Sequence, residues 1–313
     1  MPDQEPQSAR AVFMVRPARF GFNPQTAGTN LFQQDAGPGG DSDRQRRVLS
    51  EFDALASALA RAGVQVIVAE DSAVPVKPDA VFPNNWVSFH HDGTVVLYPM
   101  LAVNRRSERR EELVAQVARE GPFRIARVVD LSHREADGKF LEGTGSLVLD
   151  RGSHIAYACL SARTDLDVLG EFAQMLDYEL MTFDAQDAGT AIYHTNVLMA
   201  VGTHFAVVCG ASIGNPQHRD AVRSKLGETG HEIVDISIEQ MRQFAGNLLE
   251  LDSPRGKLIA VSSAAWSAFD AHQRRRLESH GDIVAADIAT IEHLGGGGVR
   301  CMLAEIHLPP RGP

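Results

Sequence analysis

The sequence predicts a single α/β domain over residues 1–313, built from five β-β-α-β units that close into a five-bladed propeller. Three observations predict it. Helical apolar periods begin near residues 44, 105, 166, 217 and 265, a spacing of roughly 50 to 60 residues, close to the range where repeats mean closed or stacked arrays. Each of the last four helices follows strand-like runs broken by a turn, and each of the five leads into a further strand. The run Cys301 to His307 is a strand left without a helix of its own, and it can pair with the N-terminal strand to complete the circle. A two-layer α/β protein with hairpins between its helices is the alternative.

The elements follow in order. Val12 to Arg16 is an apolar strand stopped by Pro17, and Phe20 to Gly40 is a long loop rich in Gly, Asn, Gln and Pro, a length that often carries function. Arg44 to Ala62 has Val48, Phe52, Leu55 and Leu59 at helical spacing and Gly63 as its stop, before the strand Val64 to Ala69. The second unit runs Val81 to Phe89, a turn at Asp92-Gly93, Thr94 to Tyr98, a helix Arg105 to Glu120, and Ala126 to Leu131. The third runs Ser146 to Leu149, His154 to Cys159, a helix Leu166 to Tyr178, and Leu180 to Phe183. The fourth is Ala191 to Val201, His204 to Cys209, a helix near Gln217 to Leu226, and Glu232 to Ile236. The fifth is Leu248 to Leu251, Lys257 to Ser262, a helix Ala265 to His280, and Ile283 to Ala286.

Composition narrows the function. The net charge of −10 and the lack of a basic stripe argue against a nucleic-acid partner. Arg105-Arg106 with Arg109-Arg110, and Arg274 to Arg276, read as solvated helix faces. Three widely spaced cysteines suggest a reducing compartment. The first ten residues hold no apolar signal core and no segment reaches the length of a membrane span, so a cytoplasmic protein without a membrane partner is expected. None of the twelve histidines has a metal-ligand spacing, and no metal or cofactor is expected. The oligomeric state stays open, a homodimer included.

Four residue types suggest chemistry. The glycine run Gly295 to Gly298 lets backbone approach a ligand closely and leads into Arg300-Cys301, where a cation and loop N–H groups favour thiolate. A buried structural cysteine is the other reading. A cysteine nucleophile needs a proton shuttle and a carboxylate partner. His194, Glu142 and Asp79 each stand where an apolar strand begins, a place for an edge residue or a deliberately buried functional group. Cys159 and Cys209 end apolar strands and read as core.

The motifs PDAVFPNNW, LEGTGS, SARTD, YHTNV and GGGGVRCM, in that order from Asp79 to Cys301, resemble the guanidino-group-modifying, or pentein, superfamily. This superfamily includes arginine deiminase, dimethylarginine dimethylaminohydrolase and agmatine deiminase, and within it the chain most resembles the citrulline utilization hydrolases. The resemblance covers nearly the whole chain and implies the five-bladed fold and a small amino-acid substrate. By it, Cys301 matches the nucleophile, His194 the general acid/base and Glu142 the acid that partners the histidine. Arg163 matches an arginine that holds the substrate carboxylate, and Asp79 an aspartate of the pocket. Two positions depart from guanidinium-processing relatives: Asn85 and Asn196 stand where those tend to have carboxylates. A planar cation wants ionised acceptors, whereas an amide offers both donors and an acceptor, which suits a neutral urea. The departures therefore point to hydrolysis of citrulline to ornithine, ammonia and carbon dioxide, unless the asparagines only cap turns. An arginine or methylarginine deiminase, and a non-catalytic binding protein of this fold, are the rival functions. By position alone, Asn247 is a further pocket candidate, and Asn23 and Asn30 of the long loop could touch a ligand.

Overall fold

The computed structural model describes residues 5–35 and 40–311. Strand β1 (Ala11–Arg16) leads through the short helix α1 (Pro24–Ala27) and through α2 (Asp41–Ala62) to β2 (Gln65–Glu70). Helix α2 buries Val48, Phe52, Leu55 and Leu59 completely and ends at Gly63, whose φ of 97° is the left-handed cap that glycine adopts without strain. Then come β3 (Val87–Phe89), β4 (Thr94–Leu97), α3 (Glu111–Glu120) and β5 (Arg127–Asp130). A helical turn α4 (Gly143–Ser146) precedes β6 (Val148–Asp150), β7 (Ile155–Cys159), α5 (Leu166–Leu176) and β8 (Glu179–Phe183). Helix α5 starts where the Asp165 side chain accepts hydrogen bonds from the backbone N–H groups of Asp167 and Val168, and it buries Val168, Leu169, Phe172 and Ala173. The two-residue strands β9 (Gln186–Asp187) and β10 (Thr190–Ala191) lead to α6 (Thr195–Leu198), β11 (Met199–Val201), β12 (Phe205–Val208), α7 (Pro216–Glu228) and β13 (Glu232–Asp235). The chain ends with α8 (Ile238–Arg242), β14 (Leu249–Ser253), β15 (Gly256–Ser262), α9 (Ser263–Ala268), α10 (Ala271–Glu278), β16 (Asp282–Ala286), α11 (Ala289–Gly295) and β17 (Ala304–Ile306).

The pairing repeats one motif. An antiparallel pair is followed by a helical crossover to a parallel third strand in β3-β4-β5, β6-β7-β8, β11-β12-β13 and β14-β15-β16. The last strand supplies the fifth copy: β17 runs antiparallel to β1, which runs parallel to β2. Strand β17 also meets β3 through the pair Ile306–Phe89, so two units share a six-stranded sheet of order β2-β1-β17-β3-β4-β5. The result is an α/β fold of mixed sheets, and among the described residues no sheet closes on itself. No helix among them is long and apolar enough to cross a membrane.

Several expectations are corrected by tertiary contacts. The strand expected over Ala191–Val201 is a strand only at its two ends, because residues 195–198 form a helical turn. There Thr195 donates to the Ser146 carbonyl at 2.5 Å and accepts from the Cys159 N–H at 2.8 Å, bonds that outweigh the β-propensity around it. Val81–Phe89 is likewise broken by a 3₁₀ turn at Pro83–Asn85. The helix expected from Arg105 begins at Glu111, and 103–108 is a 3₁₀ segment. The helix expected over 265–280 divides at Phe269, where Ser262 and Asp270 each cap a helix of their own. In the loop 20–40, α1 is capped by Asn23, while residues 36–39 lie outside the described residues.

Every unit thus delivers a short, non-extended segment just before its first strand: 83–85, 143–146, 195–198, the turn ending at Asn247, and a 3₁₀ turn at 299–302. These five segments bring in Asn85, Asn196, Asn247 and Cys301, with Glu142 and His194 at the starts of two of them.

Candidate active site

Asp79, Asn85, Glu142, Arg163, His194, Asn196, Asn247 and Cys301 come from all five units, and each is at most 4% exposed. Four of them, Asp79, Asn85, His194 and Cys301, line one cavity together with Asn30, Phe82, Arg105, Tyr193 and Gly295 to Gly297. Its volume is about 10 Å³, room for about one water.

Cys301 sits in the 3₁₀ turn, with its N–H bonded to the Gly298 carbonyl at 3.1 Å. Two carboxamides aim N–H groups at its sulfur: Asn247 Nδ2 at 3.3 Å and Asn196 Nδ2 at 3.5 Å. Asn247 Nδ2 also donates to the Asn196 carbonyl at 2.9 Å, which fixes its orientation, since a carbonyl only accepts. Arg300 turns away, bonding Glu305 at 2.7 Å and the Leu303 carbonyl at 2.9 Å. Burial pushes the Cys301 thiol up, and the Asn247 bond, the Arg300 charge and the Asn196 bond offset this only in part. The expectation of a ready-made thiolate is corrected: burial outweighs the nearby cation, and the resting group is a thiol.

His194 directly precedes the turn 195–198, and its Nε2 lies 2.8 Å from Glu142 Oε2. Burial alone would raise the Glu142 carboxyl, but Arg163, His194 and Arg105 hold it well below the usual carboxylate range. An ionised carboxylate only accepts, so the proton sits on Nε2 and donates to Glu142, leaving the Nδ1 lone pair free. Burial lowers the His194 pKa to about 4 against the opposing pull of Glu142. The imidazole is therefore neutral at pH 7 and able to take a proton from a thiol.

Arg163 does not line the cavity. Its guanidinium donates to Glu142 at 3.3 Å, to the Thr26 carbonyl at 3.1 Å and to Thr29 Oγ1 at 2.6 Å, and it lies 4.7 Å from the Tyr193 ring centroid. It ties the 23–30 segment down onto Glu142. The same segment reaches the pocket through Asn23, which donates to Asp79 Oδ2 at 2.7 Å, and through Asn30, which donates to the Gly295 and Gly296 carbonyls. Gly296 needs its φ of +61°, and a Cβ there would lie 2.6 Å from both Asn30 Nδ2 and the Gln33 nitrogen.

Arg105 was missed. Read from sequence as a solvated face, it is buried at the centre of the site. It forks onto Glu108 at 3.0 and 2.9 Å, donates to Asn85 Oδ1 at 2.9 Å and lies 3.7 Å from Asp79 Oδ2. The i, i+3 spacing of Arg105 and Glu108 was the one signal available, and it does not reveal burial. Several polar atoms are buried without a partner among the described residues, including Asp79 Oδ1, Asn85 Nδ2, Asn196 Oδ1 and Asn247 Oδ1. Such atoms carry a cost unless a ligand or water meets them. Those residues hold no group of three or more His, Cys, Asp or Glu side chains placed to bind a metal.

Residues 16–308 match the family model for eukaryotic N,N dimethylarginine dimethylhydrolase. The chain belongs to this family, within the pentein superfamily of guanidino-modifying enzymes. Among curated proteins none matches. Solved structures show the same fold at low identity. One is the N-terminal domain of an ArgZ variant covalently bound to a reaction intermediate, at 16% identity and a TM-score of 0.73, covering 96% of this chain and 99% of that one. ArgZ is an arginine dihydrolase from the ornithine-ammonia cycle in Cyanobacteria, and this chain spans 41% of the full-length ArgZ chain. Another is a dimethylarginine dimethylaminohydrolase variant in adduct with S-methyl-L-thiocitrulline, at 16% identity and a TM-score of 0.64, covering 95% of this chain and 100% of that one.

Two predictions follow from the family member's own geometry. A Cβ at Gly145 would lie 2.5 Å from Asn85 Nδ2 and 2.7 Å from His194 Nδ1. Gly145→Ala is expected to cost about 1–3 kcal/mol of stability through overpacking and to lower turnover far more than that loss would. Steady-state rates on folded protein check it, and an unchanged kcat would show that neither group needs its present position.

The second concerns pH. His194, His90 and His307 are all lowered by burial, and unfolding returns each to about 6.5. Below pH 6.5 the unfolded chain takes up protons that the folded protein refuses, so stability falls as pH drops from 6.5 toward 4. For His194 alone the span from about 6.5 to about 4 corresponds to about 3 kcal/mol. Urea midpoints at pH 7 and pH 4.5 should show a smaller loss for His194→Gln than for the wild type.

Proposed function

We propose that the chain is a cysteine-dependent hydrolase of L-citrulline, yielding ornithine, ammonia and carbon dioxide through a covalent thiocarbamate on Cys301. The observation that carries this reading is Asn85. Its carbonyl oxygen is taken by a guanidinium, so its unpartnered Nδ2 must be a hydrogen-bond donor beside His194. A donor there matches the carbonyl of a ureido group and finds nothing to bind on a guanidinium, which has no acceptor.

The chemistry then uses the groups already placed. Neutral His194 takes the Cys301 proton as Sγ attacks the ureido carbon, and passes it to the departing terminal nitrogen, which leaves as ammonia. The N–H groups of Asn85, Asn196 and Asn247 favour negative charge on oxygen and sulfur, a contribution of about 3–4 kcal/mol for a well-aimed oxyanion donor. The product of this step is R–NH–CO–S–Cys301. Water, deprotonated by His194, cleaves the C–S bond and restores the thiol, and the released carbamate decomposes to ornithine and carbon dioxide. Glu142 holds the His194 tautomer. Asp79 Oδ1 accepts an N–H of the substrate, and Arg163 meets its α-carboxylate once Thr26 and Thr29 yield their bonds, as the cavity must in any case widen.

The five units are read as five blades of one catalytic domain around this site. Support comes from links between successive units: the β17–β3 pair, and the bridge Ala9–Leu251 between the segment before β1 and β14. An arginine-type substrate is the second reading. It is favoured by the buried, unpartnered carboxylate oxygen of Asp79, which a guanidinium N–H would satisfy, and by the arginine dihydrolase among the fold's relatives. Ammonia or amine release from citrulline, arginine and dimethylarginine, with the amino-acid product identified, separates the two. Ornithine from citrulline supports the proposal. Citrulline accumulating from arginine or dimethylarginine, with citrulline itself inert, overturns it.

A further inference from the structure

We propose that the groove between residues 31–34, the end of α8 and helix α11 is a second ligand site, separate from the catalytic cavity, which takes a small protonated alkylamine on Glu292. The groove and the catalytic cavity share no lining residue, so occupancy of one can be measured apart from the other.

The groove has a volume of about 450 Å³, the size of a small-molecule site. Phe32 and Phe244, with ring centroids 5.3 Å apart, and Ala264 of α9 give it an apolar lining. Arg242 also lines it, but that guanidinium is already matched: it forks onto Asp187 at 2.8 and 2.6 Å. Glu292 has no such match. It is 7% exposed, and its Oε1 is buried without a hydrogen-bond partner among the described residues. A buried carboxyl oxygen left unpaired carries a cost that a bound N–H removes.

The charges around Glu292 define the ligand. Glu51 of α2 accepts from the backbone N–H groups of Thr290 and Ile291 at 3.0 Å, and Asp287 directly precedes α11 by two residues. Burial raises the Glu292 carboxyl to about 7, a hydrogen bond from Ser262 opposes this, and the charges of Glu51 and Asp287 add to it. An anion would face the combined charge of the three carboxyl groups. An ammonium would favour the ionised form of Glu292 and supply the missing donor, while its alkyl chain suits the phenylalanine lining. An amino acid such as ornithine carries the same group with a carboxylate added.

The test titrates butylammonium chloride at pH 8 into wild type, Glu292→Gln and Asp79→Asn, with Kd read by NMR. Each variant keeps the side-chain shape and removes a charge, one in the groove and one in the catalytic cavity. The wild type should bind with a Kd of about 10 mM or tighter. Glu292→Gln should bind at least about 10-fold more weakly, and so should the neutral isostere 1-butanol on wild type. Asp79→Asn should stay within about twofold of wild type, as a change at a separate site should. Glu292-dependent binding of L-ornithine as well supports the site with an amino acid as occupant, and of butylammonium alone supports it with a plain amine. No binding by the wild type overturns the proposal. Equal affinity in Glu292→Gln, or loss of binding in Asp79→Asn alone, also overturns it and puts the amine elsewhere.

Should Glu292→Gln not fold, pH decides on the wild type. With the carboxyl at about 7, affinity should weaken about 10-fold from pH 8 to pH 6 as it takes up a proton. Protonation of His293 in the same lining would act in the same direction, and the Arg242–Asp187 pair stays matched. Affinity independent of pH overturns the assignment of Glu292.

Discussion

Cys301→Ser is expected to lower ammonia release from citrulline by on the order of 10⁴-fold or more, with the fold intact. The thiol sits in a site where burial pushes its pKa up, and its acidity relative to an alcohol favours proton transfer to neutral His194. A serine hydroxyl is a far weaker acid, so the same base would transfer its proton at a much greater cost. The change is nearly isosteric, so the Asn196 and Asn247 N–H groups keep an acceptor. Equal urea midpoints for the two proteins would establish that the loss is chemical. Single-turnover mass spectrometry should find an acylated wild-type chain and no adduct on the variant. Wild-type rates from Cys301→Ser would end the nucleophile assignment.

Glu142→Gln is expected to damage stability and turnover together. Glu142 is completely buried and accepts from His194 at 2.8 Å and Arg163 at 3.3 Å, with Arg105 Nη1 at 4.0 Å. Removing its charge leaves buried guanidinium groups less compensated, a change that costs about 3–5 kcal/mol when one member of a buried pair is lost. Glu142 Oε1 also accepts from the Leu101 N–H at 3.2 Å, so the amide has one acceptor oxygen for three donors and can no longer hold the imidazolium that forms during proton transfer. The rate should fall by about 100-fold or more beyond the effect of any unfolded fraction. Thermal melts and rates on the folded fraction measure the two losses separately. Unchanged Tm and rate would mean that the buried carboxylate does neither job.

How much of this was legible depends on the distance over which each signal acts. Helix α2 was readable because its period and its glycine cap are local, and the strands β1, β7 and β12 because they are short, uniformly apolar runs bounded by turns. The helical turn at 195–198 was not, since Thr195 takes its shape from Ser146 and Cys159, residues far away in sequence. The same holds for charge. Cys301 beside Arg300 looked like a stabilised thiolate, and no sequence pattern states that the guanidinium would spend its bonds on Glu305 while burial governed the thiol. The bonds of Arg163 to Glu142, the Thr26 carbonyl and Thr29 are likewise set by residues far away in sequence.

By itself the sequence determined the α/β alternation, the repeating order of hairpin, helix and strand, and the residue types available for chemistry, since each rests on local periodicity or on motif identity. Only the tertiary structure decided which of those residues share a cavity, that His194 is neutral with its proton toward Glu142, and that Arg105 lies at the centre of the site. The reason is physical. Protonation states and amide orientations are set by burial and by hydrogen-bond partners, and those partners come from all five units, brought together only when the chain folds.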